Sequence, residues 1–554
     1  MNRISNQIAK HPIASLLLFM FVVFTLGTVG VEIVRINIRF AVMTSEMAQH
    51  PLNLFPTLNG QPYADYPSLY NFLSYLASGC GRWVNRFTLA LPTMLLGCYV
   101  VMMTAKTSEL LKPGSGLYAA LFSLLSHEYL NIFMAFSIDL PVAAAALTIV
   151  WGLLKFDFGP KALALYIPMM ILSFAVRGPL GIIMCGAVTA SVVIGARRWR
   201  ALILYGLIGA ITAAACLGLA YWAIRRQGGD ELWKTTVDWQ IGRRIGRNKS
   251  FFYYFTNAIV SFMPVTVFAV ATLVMKRREL TEKKLAVPLL WALLPMIMLS
   301  IPGCKHLRYM TPLLPAFAIF AAIGYQESDR SYAGRTIDFL VAVMDKLILP
   351  VGVALVATGV ILSFYYPADR ISLYWHLAVA LILLFAMYLP LCRRKEKPWP
   401  LVRCAMAMTL LVGIAMTSGD AMWENSSTFV RKAEKIAAER NGRIYIYDLD
   451  PDHDGLKVMY NLSPEARRNA VTIYRLDGAE SEHLRKMFPV VPPEKAFAEI
   501  RPCDVILLHG KKKRVDDLEK EAGKTGLKIV MIDKKGRLGH KKAVAVGLEP
   551  QNSK

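Results

Sequence analysis

Long apolar runs separated by short polar connections dominate the chain up to residue 418. Each run has about 15 to 23 residues, and most are long enough to cross the hydrocarbon core of a bilayer as a helix. The pattern predicts thirteen transmembrane helices, near 13–30, 87–105, 117–134, 140–154, 162–177, 179–195, 201–223, 256–275, 285–301, 311–325, 347–365, 372–391 and 401–418.

The pattern changes after residue 418. Short β-rich stretches at 443–447, 471–474, 505–509, 528–532 and 543–546 alternate there with polar segments that are compatible with helices. The fold class predicted is therefore an all-α polytopic membrane protein with a small C-terminal α/β domain. We expect a transmembrane domain over 1–418 and the α/β domain over 419–554.

Positive charge in the connections predicts the orientation. The connections rich in Lys and Arg, at 106–112, 155–161, 197–200, 276–284, 330–346 and 393–397, alternate correctly to be cytoplasmic. The N-terminus is then cytoplasmic, and the exported parts are 31–82, 225–255, 302–310 and everything after about 419. The loop 225–255 is itself rich in cations, including Arg247 and Lys249. A lipid phosphate outside the membrane and a solvated loop near lipid headgroups both explain it.

Composition agrees with a membrane protein. The chain is 55% hydrophobic and 18% charged, with a mean hydropathy of +0.40, which excludes an ordinary soluble enzyme. The net charge of +24 follows from cytoplasmic loops and anionic lipid, without nucleic acid. Eight scattered cysteines contain no CxxC pair, and His127 and His306 lack a second ligand at a known spacing. No metal site is predicted from these residues.

The first exported segment, 31–82, holds several candidate functional residues. Glu32, Arg35, Arg39 and Glu46 recur at helical spacing and predict one charged face of an interfacial helix. Proline and glycine residues then turn the chain, so that Asp65 can point back toward the bilayer surface.

Four separated stretches, in order along the chain, carry a family resemblance. They are 39–47, beginning Arg39-Phe40; 59–67, with Asp65 at an acidic position; 174–181, with Arg177 in place of a lysine; and 305–315, with Lys305, Arg308 and Tyr309. Together they resemble the polyprenyl-phosphate-dependent glycosyltransferases of the GT-C class. This group contains the aminoarabinose transferase of lipid A and the protein mannosyltransferases.

The resemblance implies a sugar donor on polyprenyl phosphate, an acceptor at the outer face, and a bacterial inner-membrane enzyme. The acceptor would be lipid A, another glycolipid or a glycan, with a protein as the alternative. Cations at exported helix ends are candidates for binding the donor phosphate, namely Arg39, Arg177, Lys305 and Arg308. Candidate substrate-binding residues are Tyr63, Tyr66, Asp139, Arg247, Lys249 and Tyr309.

The sequence allows more than one role for Asp139 and for the candidate catalytic carboxylates Asp65 and Glu32. Asp139 either binds the donor sugar or a divalent cation, or caps a helix. The resemblance expects an acidic pair before Arg39, where this chain has Ile36-Asn37. The catalytic carboxylate would then be Asp65, with Glu32 second, and a phosphate acceptor would need no base. A non-catalytic member of the group, or a flippase partner that binds prenyl-linked sugars, is the alternative function.

Overall fold

The computed structural model describes residues 10–29, 31–33, 37–49, 52–238, 249–328, 332–365, 377–378, 382, 391, 394–423, 426–449, 454–474, 490–538 and 541–550. The helices up to residue 423 are α1 (Pro12–Thr28), α2 (Asn37–Glu46), α3 (Leu69–Ala77), α4 (Arg86–Leu111), α5 (Gly116–Ser123), α6 (His127–Phe133), α7 (Asp139–Lys155), α8 (Pro160–Arg177), α9 (Pro179–Gly195), α10 (Trp199–Val237), α11 (Tyr253–Ser261), α12 (Val265–Met275), α13 (Lys283–Ser300), a 3₁₀ helix (Leu307–Leu313), α14 (Leu314–Gln326), α15 (Tyr332–Tyr365) and α16 (Trp399–Trp423).

The C-terminal elements are α17 (Ser426–Glu439), β3 (Ile444–Tyr447), α18 (Asp454–Asn461), α19 (Pro464–Asn469), β4 (Val471–Ile473), β5 (Val490–Val491), α20 (Pro493–Glu499), β6 (Val505–His509), α21 (Lys512–Lys524), β7 (Leu527–Leu538) and β8 (Lys541–Pro550). A hairpin of β1 (Thr57–Leu58) and β2 (Gln61–Pro62) precedes α3.

The chain is a multi-pass membrane protein by the length and composition of its helices. Within the described residues, six helices are long and apolar enough to cross a bilayer, and the bent pair α11–α12 makes a seventh if it is one span. Three shorter apolar helices accompany them, and one buried apolar core joins α1 with α4 through α16. The count of thirteen spans stays a prediction, and its segment 372–391 lies almost entirely outside the described residues.

Several predicted spans are not single straight helices. The run 117–134 is interrupted between α5 and α6, and the run 256–275 bends by 108° between α11 and α12. Helix α10 continues to Val237, well beyond the predicted end at 223, with non-helical backbone at Gly228 and Gly229. At the bend between α11 and α12 hydropathy gives no sign of the break, because Phe262 and Met263 are as apolar as their neighbours.

The C-terminal sheet has six strands in the order β5-β4-β3-β6-β8-β7. Strands β3, β4, β5 and β6 are parallel, and β8 pairs antiparallel with β6 and β7. Successive side chains of a strand point to opposite faces. Ile444 and Ile446 therefore pack with α17, whereas Tyr445 and Tyr447 pack with α20 and α21. The five predicted β-rich stretches coincide with β3, β4, β6, β7 and β8.

The first loop, residues 31–82, packs against this C-terminal unit. Ile38 and Phe40 of α2 share an apolar cluster with Leu456 of α18. The Tyr460 hydroxyl donates a hydrogen bond to the carbonyl of Val84 at 2.8 Å. We call this end of the helical bundle the sheet end.

Candidate active site

Arg177 ends α8 at a turn that requires glycine. Gly178 has φ 67° and ψ −148°, a conformation that residues with a Cβ rarely adopt. Pro179 then begins α9, as proline favours the first helical turn. The turn holds the Arg177 guanidinium at the sheet end, where the residue is only 2% exposed.

A buried carboxylate links two arginines. The Arg177 Nε donates to Asp139 Oδ1 at 2.8 Å, and the Arg308 Nε lies 3.6 Å from Asp139 Oδ2. Within the described residues, the Nη1 and Nη2 atoms of Arg177 are buried and have no hydrogen-bond partner. Asp139 thus orients the guanidinium through one edge, and two strong donors stay available to a ligand.

Two tyrosine rings flank this guanidinium. The Arg177 Cζ lies 4.8 Å from the centroid of the Tyr66 ring and 5.3 Å from that of Tyr309. Burial raises the pKa of Tyr66, and the neighbouring Asp65 carboxylate raises it further. The ring therefore stays neutral and contributes a cation–π contact.

A hydrogen-bonded chain connects α2 to Asp65. The Arg39 Nη1 donates to the Tyr63 hydroxyl at 2.9 Å, and this hydroxyl donates to Asp65 Oδ2 at 3.2 Å. The rings of Tyr63 and Tyr66 lie 6.2 Å apart, which joins this chain to the surroundings of Arg177. We call the joined set the arginine cluster; its members are Arg39, Tyr63, Asp65, Tyr66, Asp139, Arg177, Arg308 and Tyr309.

Lys249 and Lys305 lie beside the arginine cluster and bind each other's backbone. The Lys305 Nζ donates to the carbonyls of Lys249 at 3.2 Å and Pro302 at 2.6 Å, and the Lys249 Nζ donates to the Lys305 carbonyl at 2.7 Å. Burial and the neighbouring Arg308 and Lys249 lower the pKa of His306 to about 4. His306 is therefore neutral near pH 7. The ammonium groups of Lys249 and Lys305 already donate hydrogen bonds to backbone carbonyls.

Glu32 does not join the arginine cluster in the structure. Glu32 precedes α2 and accepts hydrogen bonds from the hydroxyl of Ser427 and, at 3.3 Å, from its backbone N–H, at the start of α17. Arg247 lies outside the described residues, as does Arg35. The prediction of one charged face on an interfacial helix is wrong, because Glu32 precedes the helix, and Arg39 and Glu46 are both buried.

The capping interpretation of Asp139 is also corrected. The Ser137 hydroxyl accepts from the Leu140 N–H at 3.3 Å and so serves the first turn of α7. No side-chain capping bond comes from Ile138, the residue that precedes the helix, and the Asp139 carboxylate faces the arginines.

Two contacts of the site were not identified from the sequence. Tyr254 is fully buried, and its hydroxyl accepts from the His306 N–H at 3.2 Å. Phe136 stacks on Phe40 with ring centroids 4.2 Å apart. Both aromatic residues lie near candidate residues, Phe136 before Asp139 and Tyr254 after Lys249, but no spacing rule predicts these long-range partners.

The site is strongly cationic. Five cations (Arg39, Arg177, Lys249, Lys305 and Arg308) against two carboxylates (Asp65 and Asp139) give a net charge of +3 over these seven side chains. No group of three or more His, Cys, Asp or Glu side chains that could hold a metal occurs within the described ranges. The arrangement therefore suits an anionic ligand with several oxygen acceptors, such as a phosphate.

Known structures share this fold. The crystal structure of ArnT from Cupriavidus metallidurans in the apo state superimposes with a TM-score of 0.72, at 15% identity over 97% of this chain and 98% of that one. ArnT from the same organism bound to undecaprenyl phosphate gives 0.69, at 16% identity over 96% and 97%. Protein-family models and curated protein sequences give no match. The chain has the ArnT fold along nearly its whole length, and the predicted GT-C fold is thereby confirmed.

Proposed function

We propose that this protein transfers a sugar from a polyprenyl-phosphate donor to an envelope acceptor such as lipid A, another glycolipid or a glycan. The lipid carrier is suggested by the related fold of ArnT, which has been crystallised with undecaprenyl phosphate. The sugar would move by a single displacement that inverts its anomeric centre.

The single observation that carries this proposal is the state of Arg177. Its Nη1 and Nη2 are buried without hydrogen-bond partners among the described residues. Leaving a buried donor unpaired costs about 1–3 kcal/mol, and more where the group is charged. A phosphate provides oxygen acceptors that match the two parallel N–H groups of a guanidinium.

The positive charge lies where negative charge would develop. Attack of the acceptor oxygen on the anomeric carbon breaks the bond from that carbon to the phosphate oxygen, and the electron pair stays on the lipid phosphate. Arg177 and Arg39, which are buried, and Arg308, which is partly exposed, stabilise this charge in an environment that needs little reorganisation. Lys305 and Lys249 add further positive charge from the adjacent turn.

Asp65 is the carboxylate proposed to take a proton from a hydroxyl acceptor. The Tyr63 hydroxyl fixes its orientation at 3.2 Å, and Arg39 fixes Tyr63 in turn. An acceptor that is already a phosphate attacks as an oxyanion and needs no base. The acceptor therefore decides whether Asp65 transfers a proton or only positions a substrate.

The proposed location is the bacterial inner membrane, with the N-terminus cytoplasmic and the domain 419–554 periplasmic. The arginine cluster would then open to the periplasm. At the other end of the bundle, Lys112, Lys276 and Lys284 surround Glu327, and cations on this side agree with the positive-inside rule.

Two measurements test the function. Mass spectrometry of lipid A and other envelope glycans, from cells with and without the gene, is expected to show a sugar-sized mass increment that the deletion removes. Undecaprenyl phosphate is expected to bind the purified full-length protein. Identical glycan profiles under inducing conditions, with intact binding, would instead support the non-catalytic partner of prenyl-linked sugars.

A further inference from the structure

A polar cavity, separate from the arginine cluster, lies between the first loop and the C-terminal sheet. Its volume is about 520 Å³, within the range of small-molecule sites. Glu46 and Asn59 line it from the first loop, and Arg467, Arg468 and Thr472 line it from the C-terminal side. None of these residues belongs to the arginine cluster.

The carboxylate in this cavity is held in place. Glu46 is 5% exposed, and its Oε2 accepts from the Thr57 hydroxyl at 2.7 Å and from the Gly60 N–H at 3.2 Å. The β1–β2 hairpin thus fixes the carboxylate before any ligand arrives, so binding a hydroxyl or an amine there costs little conformational entropy.

Arg467, across the cavity from Glu46, is positioned by hydrogen bonds to the backbone. The Arg467 Nη2 donates to the carbonyls of Tyr460 at 2.9 Å and Leu462 at 3.2 Å. Within the described residues, neither Arg467 nor Arg468 lies within salt-bridge distance of a carboxylate. Burial lowers the pKa of Arg467, and the charge of Glu46 is the largest opposing influence. The cavity therefore contains two guanidinium charges that can bind a ligand anion.

The remaining wall is apolar. Met459, Val471 and Val490 line it beside the polar groups. A sugar presents C–H faces and hydroxyl edges together, and its phosphate adds a dianion. The apolar strip, the fixed carboxylate and the two guanidiniums match these three parts of a phosphorylated sugar.

The cavity is connected to the arginine cluster by two short segments. Glu46 and Arg39 are seven residues apart on α2, which is about 10 Å along a helix. Asn59 and Gly60 lead within a few residues to Tyr63 and Asp65. A sugar bound in the cavity would place the next group of the same molecule near Asp65.

We propose that this cavity binds a phosphorylated sugar of the acceptor glycolipid and so orients the acceptor toward the arginine cluster. This inference rests on the proposed transfer function, because it assigns a subsite to the acceptor. Its prediction is nevertheless a binding event that requires no donor and no turnover.

The test measures binding of a soluble probe to the full-length protein in lipid nanodiscs. The probe is the deacylated, bisphosphorylated glucosamine disaccharide, and isothermal titration calorimetry gives its Kd. Arg468 is exposed, so Arg468→Gln is expected to fold normally and to weaken binding at least ten-fold. Arg440→Gln, at an exposed position directly after α17 and outside the cavity, is the matched control with an unchanged Kd. Glu46→Gln is expected to weaken binding by a smaller factor.

Three results would overturn the inference: no saturable binding at millimolar probe, equal Kd values for Arg468→Gln and Arg440→Gln, or equal binding of the dephosphorylated disaccharide. Displacement of the probe by undecaprenyl phosphate would also overturn it, because the cavity would then bind the carrier phosphate. Arg177→Gln separates the two proposals, since it is expected to lose undecaprenyl phosphate and to keep the probe. If the wild-type protein binds undecaprenyl phosphate but not the probe, only the proposal for the cavity is contradicted. If Arg177→Gln binds undecaprenyl phosphate as tightly as the wild type does, the proposal for the donor site is contradicted.

Discussion

Replacement of Arg177 by lysine tests the donor site with the charge preserved. The arginine binds Asp139 through Nε and keeps Nη1 and Nη2 for a ligand. A lysine has one nitrogen at the end of a flexible stem, so it can sit at Asp139 or at a phosphate, but not in both geometries at once.

The magnitude follows from the hydrogen bonds that are lost. The variant loses at least one net charge-assisted hydrogen bond to the phosphate, worth about 1.5–3 kcal/mol. The Kd for undecaprenyl phosphate should therefore rise about 10- to 100-fold. The assay is equilibrium binding of undecaprenyl phosphate to full-length protein, with thermal unfolding measured in parallel to confirm that the variant is folded.

Arg198→Lys is the matched control. Arg198 also pairs with an aspartate, at 2.6 Å from Asp157 Oδ1, but this pair is exposed. Asp157 follows the opposite end of α7 from Asp139, about 25 Å away along the helix. An unchanged Kd is expected for this control. A Kd for Arg177→Lys within two-fold of the wild-type value, with normal thermal unfolding, would refute the assignment of Nη1 and Nη2 to the phosphate.

Three further substitutions test other parts of the structure. Tyr63→Phe removes the hydroxyl between Arg39 and Asp65 and should lower the transfer rate about ten-fold with little change in the Kd for undecaprenyl phosphate, as measured by kinetics and binding. Glu327→Gln should lower the free energy of unfolding near pH 7 by about 1 kcal/mol in denaturant titrations, because solvent screens these charges. Although burial raises the pKa of Glu327, hydrogen bonds from three lysines lower it to about 2 from 4.5. Asp454→Asn should lower the thermal stability at pH 7, because hydrogen bonds from His509 and Lys541 hold the Asp454 pKa below its usual range.

The stability that Glu327 and Asp454 contribute changes in the same direction with pH. A carboxylate whose pKa is lower in the folded protein stabilises it above the unfolded pKa, and this stability is lost as the pH falls through the folded pKa. The wild type should therefore lose its advantage over Glu327→Gln between about pH 4.5 and 2. An advantage that grows on acidification would contradict the ion pairs, and an unchanged transfer rate in Tyr63→Phe would contradict the chain from Arg39 to Asp65.

The sequence predicted those parts of the site that depend on local position. Arg177 and Arg308 were expected at exported helix ends to bind a phosphate, and Tyr309 was expected to bind substrate. The structure brings all three together with Asp139. The strands of the C-terminal sheet were predicted from runs of β-branched and aromatic residues, although the two-residue strand β5 is too short to give such a signal.

Contacts between distant segments were not predictable. Glu32 and Ser427 are separated by 395 positions, and Glu46 faces Arg467 from a segment more than 400 residues away in the sequence. No periodicity encodes such pairs, because they follow from how the first loop packs on the C-terminal unit. The charged face predicted for α2 was wrong for the same reason, since that packing buries it.

Because Ile36-Asn37 stands where the family resemblance expects an acidic pair, Asp65 and Asp139 are the carboxylates of the arginine cluster. Asp139 accepts a hydrogen bond from Arg177 and lies near Arg308, so both of its oxygens face guanidinium groups. This carboxylate therefore serves to position the two guanidinium groups. Asp65, the other carboxylate of the arginine cluster, accepts a hydrogen bond from the Tyr63 hydroxyl, on the same segment as Tyr66. If the acceptor is a hydroxyl, Asp65 is the proposed proton acceptor, and Asp65→Asn should leave binding of undecaprenyl phosphate intact while transfer to that hydroxyl is lost. Transfer to a phosphate acceptor should persist in the same variant.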